Sequence, residues 1–379
     1  MDIINSYFKK KADKITFLEV KDNSSIGLKG YPHDKKIPLP LRTETLIKEI
    51  KDGNLKEEIN ISYVIDGIVY LIGIDPSFPN IENYKDILLA YNDKIEDYIF
   101  YEGIRSVENN EYSHGAICFR ALKQINPRNT DNLFNYALVL EEIAKKYFEM
   151  DMEEEALAFL KNSTNELEMI LDADEKYSLA YYKLGYHYKY FGNYLKAKLA
   201  WNKFLNFDMD ELRLHEIRGE IDEIEDNVTI ETGLTYLSKE LYNDALTTFL
   251  KLLPKFENWW ELRYFIASSY KGLGDLDKAI EYYYGALELN DMELEIYNEL
   301  GICLFSIEDI QKSVEIFSQG IEKVGEDYKL LFNRGLGYLQ LGDLKKAYKD
   351  IDKASQINPD DENIIGQKLY LDKLLENTN

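Results

Sequence analysis

Beyond about residue 95, apolar positions recur at three- and four-residue intervals, in stretches separated by short polar turns. That is the spacing of one face of an α-helix. Before that point the period is lost. ITFLEV (15–20) alternates like a strand, and PLRTETLIKEIKDG contains a short helix with Thr43 or Thr45 as its cap. EINISYVIDGIVYLIGID predicts two alternating strands around Asp66-Gly67, a dipeptide that favours a tight hairpin turn. Ile59, Ile61, Tyr63 and Ile65 then share one face of the first strand, and Ile68, Tyr70, Ile72 and Ile74 one face of the second. Pro76 and Pro79 end the run, and IENYKDILLAYN resumes a helical period. Residues 1–95 are expected to form a small α+β unit, and residues 96 onward a row of helices.

The helical part repeats itself. GLGDLDKA at 272–279 returns as QLGDLKKA at 340–347, at twice a 34-residue period. Small residues keep that beat at Ala245, Ala279, Ser313 and Ala347. A bulky residue follows each by four positions: Phe249, Tyr283, Phe317 and Ile351. Twelve residues before each small site lies another, at Gly233, Ala267, Gly301 and Gly335. Each unit therefore reads as two helices joined by a turn. Gly274 and Gly342 can take the left-handed conformation there, and the aspartate after each can cap the second helix. Small residues let the paired backbones approach while the bulky side chain fills the space beside them. Neither helix can bury its apolar stripe alone, so the units must stack.

This pattern resembles the tetratricopeptide repeat (TPR) family, with Pro359 and Pro127 in the place of that family's unit-closing proline. The register extends backwards through 178–211 (Gly185, Tyr188, Ala197, Trp201), 130–177 (Ala137, Leu140, Ala156, Leu160) and 96–129 (Gly103, Gly115, Phe119), giving seven units over residues 96–361. In 130–177 the small sites stand 19 residues apart instead of 12, so both helices are expected to be longer there. Between 211 and 226 an extra stretch, LRLHEIRGEIDEIE, keeps the helical spacing. It predicts one long helix from about Glu211 to Lys239 with a solvated acidic face at Glu216, Glu220 and Glu223. Residues 362–379 read as a capping helix and tail over the last unit. The fold class expected is mainly α: a helical-hairpin solenoid behind a small N-terminal α+β unit.

Charge narrows the partners. The net charge is −24, from 69 acidic and 45 basic side chains, which opposes nucleic acid phosphates and anionic membrane surfaces. No apolar run is long enough to span a bilayer, and no secretory signal is visible. The two cysteines, Cys118 and Cys303, lie 185 residues apart inside apolar helical patterns, without metal-site or disulfide spacing. A cytoplasmic, reducing setting is expected. The usage of Ile, Asn, Lys and Tyr suggests an AT-rich bacterial genome.

No metal, nucleotide or hydrolase motif appears, so no catalytic residue, metal ligand or cofactor is expected. Of the histidines His33, His114, His187 and His215, His187 adjoins the apolar register and reads as a partly buried helix residue. The resemblance implies a concave surface lined by the first helix of each unit, where relatives bind peptide segments. In this sequence it places Phe100, Ile104, Phe134, Leu138, Tyr182, Tyr186, Lys189, Tyr264, Asn298 and Phe332 there, with Asn135 and Asn333 beside them. Some relatives clamp a C-terminal carboxylate with paired lysines and asparagines. Only Lys189 and Asn298 fall at such levels here, in units that are not adjacent, so the resemblance does not extend to clamping. An aromatic groove in an acidic protein suits a protein or peptide segment with apolar anchors and basic flanks. Three functions fit the residues: a non-catalytic scaffold or adaptor, a peptide-responsive bacterial regulator with protein-directed output, and an enzyme housed in residues 1–95.

Overall fold

The computed structural model describes residues 2–19, 37–51 and 60–378. They form two compact units, divided between Ile221 and Asp222.

The first unit opens with α1 (Ile3–Lys9), a 3-10 turn (Ala12–Lys14) and two strands, β1 (Ile15–Leu18) and β2 (Leu39–Arg42). The strands pair antiparallel with Ile15 opposite Arg42 and Leu18 opposite Leu39. Helices α2 (Thr43–Lys51), α3 (Ile61–Ile74) and α4 (Ile81–Tyr91) follow. The expected strand at 15, the short helix at 43 and the helix at 81 are present. Val20, His33 and Ile59 lie outside the described residues.

The expected hairpin around Asp66-Gly67 is instead the single helix α3. Asn60 caps it by accepting from the Ser62 amide at 3.0 Å. Ten of its fourteen residues are buried, so it is apolar on nearly every side. Such a run carries no period, and its Ile, Val and Tyr content favoured strands only as a propensity that tertiary packing overrides. Gly67 is a contact point rather than a turn. A Cβ there would sit 2.1 Å from the Pro40 carbonyl oxygen, so only glycine lets β2 cross the helix this closely.

Three helical pairs continue the unit: α5 (Ile95–Glu108) with α6 (Tyr112–Ile125), α7 (Thr130–Glu149) with α8 (Glu153–Ala173), and α9 (Ser178–Tyr190) with α10 (Tyr194–Phe207). The N-terminal elements share one core with them. Phe8, Ile68, Ile72 and Tyr84 are buried in the same cluster as Phe119, Leu122 and Phe159. Arg120 of α6 joins the two parts. Its guanidinium lies 4.5 Å over the Phe8 ring and donates to the Gly73 and Ile74 carbonyls at 3.1 and 3.3 Å. It thereby closes the C-terminus of α3, where carbonyls have no helical partner and the helix dipole favours a cation.

Helices α7 and α8 are 20 and 21 residues long, as the wider spacing required. The register within that pair differs from the sequence reading. The residue that meets Ala137 across the pair is Ser163 and not Ala156: its hydroxyl donates to the Ala137 carbonyl at 2.8 Å. Seven residues are close to two helical turns, so Ala156 and Ser163 fall on nearly the same face and spacing alone did not separate them.

Helix α11 (Glu211–Glu223) follows, and the second unit continues with α12 (Glu225–Ser238). The single long helix expected from 211 to 239 is interrupted at Ile224, whose backbone (φ −91°, ψ 1°) leaves the helical region. The interruption adds no residue to the apolar spacing of Ile221, Ile224 and Val228, so the pattern could not register it.

The remaining elements of the second unit are α13 (Tyr242–Leu250), α14 (Trp260–Gly272), α15 (Leu276–Leu289), α16 (Leu294–Ser306), α17 (Ile310–Val324), α18 (Tyr328–Gln340), α19 (Leu344–Ile357) and the C-terminal α20 (Glu362–Thr378). The small-residue beat has the contact it implied. In α16 and α17 a Cβ on Gly301 would lie 2.4 Å from the Phe317 ring, and the Ser313 hydroxyl donates to the Gly301 carbonyl at 2.8 Å. The turns are as regular. All seven pairs turn through a residue with positive φ: Asn110, Asp151, Gly192, Glu240, Gly274, Glu308 and Gly342. Glycine meets this requirement without strain at three of them, and the other four hold side chains in the left-handed region.

Candidate peptide-binding face

The first helix of each pair turns one stripe toward its partner helix and the next stripe toward solvent. The ten residues assigned to the binding face from the sequence lie on first helices of their pairs and are half-buried. In the first unit, Phe100 packs edge-on against Phe119 (5.9 Å between ring centres), and Phe134 lies 5.4 Å from Tyr177. Tyr182 stands 5.3 Å from Tyr186, which lies 5.2 Å from Trp201. Phe100, Tyr182 and Tyr186 thus rest partly on their own hairpins, whereas Phe134 rests on the residue that precedes α9.

Helix α11 changes the face of the third pair. The Tyr182 and Tyr186 hydroxyls both donate to Glu216 Oε1, at 2.9 and 2.5 Å, and Lys189 Nζ reaches Glu220 Oε2 at 2.7 Å. Burial and then the Glu216 bond push both phenols above their ordinary range. Glu216 and Glu220 are thus bonded carboxylates, not the freely solvated face expected of them. The helical spacing gave the position of this acidic stripe but not the tyrosines 34 and 30 residues earlier that it would meet.

A further carboxylate binds the second pair to the third. Glu141 of α7 accepts from Lys183 and His187 of α9 at 2.6 and 2.8 Å. Burial alone would raise its pKa, but the His187 bond and the Lys183 charge outweigh that, and its pKa lies below the ordinary glutamate value. His187 is buried, and its other ring nitrogen meets Thr164 Oγ1 at 2.9 Å, which accounts for it as a structural residue.

In the second unit, Tyr264, Asn298 and Phe332 occupy the same level of α14, α16 and α18 at 34-residue steps. Tyr264 packs edge-on against Tyr283 at 5.5 Å. Burial, followed by the charges of Glu299 and Glu295, pushes its phenol up to about 12. Asn298 accepts from Asn333 Nδ2 at 2.8 Å, so neighbouring first helices are tied along this face. Glu295 pairs with Lys329 at 3.4 Å, and Glu299 pairs with Lys271. Aromatic rings and carboxylates thus alternate on the first-helix face of this unit.

The family model for the tetratricopeptide repeat matches residues 261–291 and 328–361, which fall on α14–α15 and α18–α19. The chain carries tetratricopeptide repeats at these two stretches. Among curated relatives it is 33% identical over 120 residues to the BBSome complex member BBS4 of Bos taurus, covering 32% of this chain and 22% of that one. It is 24% identical over 291 residues to the TPR repeat-containing protein MJ1428 of Methanocaldococcus jannaschii, covering 72% of this chain and 47% of that one. The chain thus spans less than half the length of both relatives. Solved TPR structures similar to it include one from Parabacteroides merdae (16% identity, 73% of this chain, 98% of that one, TM-score 0.33). Another is YrrB, described as a TPR protein with an unusual peptide-binding site (18% identity, 66% and 97%, TM-score 0.28).

Among the described residues no helix is long and apolar enough to cross a membrane, and no group of three or more His, Cys, Asp or Glu is placed to hold a metal ion. Both cysteines are buried and free. Burial pushes the Cys118 thiol up to about 12 and the Cys303 thiol up to about 11.

Sequence reading missed a cleft between the N-terminal elements and the first two helical pairs. Lys11, Lys14, Arg42, His114 and Lys146 contribute to its lining. These residues are scattered along the chain. The one signal in the sequence was the basic run around Lys9–Lys14 in an otherwise acidic protein.

Proposed function

We propose that this chain is a non-catalytic scaffold or adaptor that receives a protein or peptide segment on the first-helix faces of its TPR pairs. The segment carries apolar anchors flanked by Lys or Arg. The contacts each unit offers by itself are Phe100, Ile104, Phe134 and Leu138 on the first and Tyr264, Asn298 and Phe332 on the second. Tyr182, Tyr186 and Lys189 take part where the segment displaces their bonds to α11. Residues 1–95 act as the N-terminal unit, 96–361 as the array and 362–379 as its capping helix and tail. A cytoplasmic setting suits two buried, unpaired cysteines in an acidic chain.

The observation that carries this reading is the surroundings of Tyr264. A half-buried ring beside Glu295 and Glu299 offers a peptide cation both an aromatic face and negative charge, and offers an apolar anchor the ring edge. The overall charge of −24 favours the same class of partner. One relative is itself named as a member of a protein complex, which agrees with a binding role.

Random-peptide display on the full chain tests the proposal. Enriched sequences should combine apolar residues with Lys or Arg, and Tyr264→Ala with Phe332→Ala should weaken the best of them about tenfold or more. Enrichment of acidic sequences, or undiminished binding after both changes and Phe134→Ala, overturns it.

A further inference from the structure

The cleft on the first unit has a volume of about 520 Å³, within the range of small-molecule sites. Its walls come from α1 and the turn after it, β2, the start of α2, α3, α6 and α7, so it belongs to the junction of the N-terminal elements with the first two pairs. Four cations line it, Lys11, Lys14, Arg42 and Lys146, against two carboxylates, Glu44 and Glu111.

A lining richer in cations than in carboxylates stands out in a chain with 69 acidic and 45 basic side chains, and some lysines elsewhere in the unit are paired. Lys9, Lys85, Lys123 and Lys183 each reach a carboxylate, at 3.2, 2.8, 2.6 and 2.6 Å. Lys11, Lys14 and Lys146 form no ion pair among the described residues, although acidic side chains outnumber basic ones in the chain. Two of them lie over tyrosine rings of the cleft wall instead. Lys11 Nζ is 4.4 Å from the Tyr7 ring centre and Lys146 Nζ is 4.3 Å from that of Tyr112. Burial, then the like charge of Lys14, lowers the Lys11 pKa against a small opposing effect of Asp13. The Lys11 and Lys146 ammonium groups thus rest against rings of the cleft wall.

Arg42 is held more firmly. Its guanidinium lies 5.2 Å over Tyr70, bonds Glu44 through Nη2 and approaches His114 Nε2 through Nη1 at 3.2 Å. His114 Nδ1 lies 2.9 Å from Ser106 Oγ, which donates to the Glu102 carbonyl at 2.8 Å. A guanidinium can only donate, so Nε2 accepts and the proton sits on Nδ1, directed at Ser106. Burial, then the charge of Arg42, holds His114 down at about 4, so this ring stays neutral and keeps accepting at neutral pH. Ser106 stands where four of the other six pairs carry a tyrosine, Tyr188, Tyr236, Tyr270 and Tyr338, and where a tyrosine would lack this bond to His114.

We infer that this cleft binds a small molecule bearing a phosphate or pyrophosphate group. Lys11, Lys14 and Lys146 contact its oxygens, Arg42 supplies a braced guanidinium, and Tyr7 and Tyr112 flank it. Several converging cations favour a multiply charged anion over a single carboxylate. An anionic membrane is the less suited source, because the field of a chain with net charge −24 repels such a surface.

Isothermal titration of the full chain with sodium pyrophosphate, and separately with ATP, reads the inference out. Saturable binding of at least one is expected, weakened about tenfold or more by Lys11→Gln with Lys146→Gln and weakened also by Lys14→Gln alone. Lys14 and Lys146 are exposed, so the single variants Lys14→Gln and Lys146→Gln test the cleft without disturbing the fold. Lys85→Gln, at a lysine already paired outside the cleft, should leave binding unchanged. Three results overturn the inference: no saturable binding of either probe at millimolar concentration; equal loss in Lys85→Gln and the cleft variants; or co-sedimentation with anionic vesicles when neither soluble probe binds.

Discussion

Gly301→Ala puts the repeat geometry under direct test. The added Cβ would stand 2.4, 2.5 and 2.8 Å from the Cε1, Cζ and Cδ1 atoms of Phe317, where carbon contacts normally sit at about 3.5–4.0 Å. The ring cannot simply turn away, because Phe317 is 1% exposed. Overpacking of this kind costs about 1–3 kcal/mol, and alanine recovers about 0.5–1 kcal/mol over glycine within a helix. A net loss of about 1–2 kcal/mol is expected. Phe317→Leu alone should cost a similar amount through lost packing, but the smaller side chain makes room for the alanine. The double variant should therefore lose about 1 kcal/mol less than the sum of the singles. Urea unfolding of the full chain by circular dichroism gives the totals, and native-state hydrogen exchange of the α16 and α17 amides shows whether the loss is local. Additivity within about 0.5 kcal/mol, or a stabilising Gly301→Ala, would refute the argument that this glycine and this ring are fitted to each other.

Arg120→Met should destabilise the first unit by about 2–4 kcal/mol, since it strips the terminal carbonyls of α3 of their donor while keeping the side-chain volume; thermal unfolding reads this, and a neutral result contradicts the capping role. Glu308→Gly should stabilise by about 0.5–1 kcal/mol by releasing a side chain from a φ of 65°, measurable as a higher urea midpoint. Glu141 has a lowered folded-state pKa, so the stability it confers is present above its unfolded value and is lost as pH falls through the folded one. The gap between wild type and Glu141→Gln should therefore be widest near neutral pH and close below the ordinary glutamate range, and a gap constant down to pH 2–3 would contradict the bonded state of this carboxylate.

The array was legible in the sequence because its parts obey local rules. The small residue at Gly301 and the ring at Phe317 must occur together for two backbones to meet, and both carry a 34-residue period. Pro76 ends α3 as a proline should, and Gly274 and Gly342 mark turns that Glu240 and Glu308 also make without showing it. What failed was what depends on distant partners. An apolar run such as ISYVIDGIVYLIGI fits helix or strand until β2 and α6 pack on it. The Ser163 register needed the facing Ala137 carbonyl, and the bonded state of Glu216 needed Tyr182 and Tyr186. At the candidate binding face, the hydrogen bonds that engage Tyr182, Tyr186, Lys189 and Asn298 come from partners 30 to 35 residues away, which local spacing does not reveal. The cleft gathers Lys11, Arg42, His114 and Lys146 from four separate stretches, so no motif announced it.

The proposed role stands most directly on where a bound segment touches the chain. Peptides enriched on the full protein can be fitted with a photo-crosslinker beside their apolar anchor, and the attachment sites located by mass spectrometry. Crosslinks are expected on the first helices, around Phe100, Phe134, Tyr264 and Phe332, with protection of the same segments in hydrogen exchange. Attachment confined to the second helices α6, α8, α15 and α19, with no change at the first helices, would contradict the account.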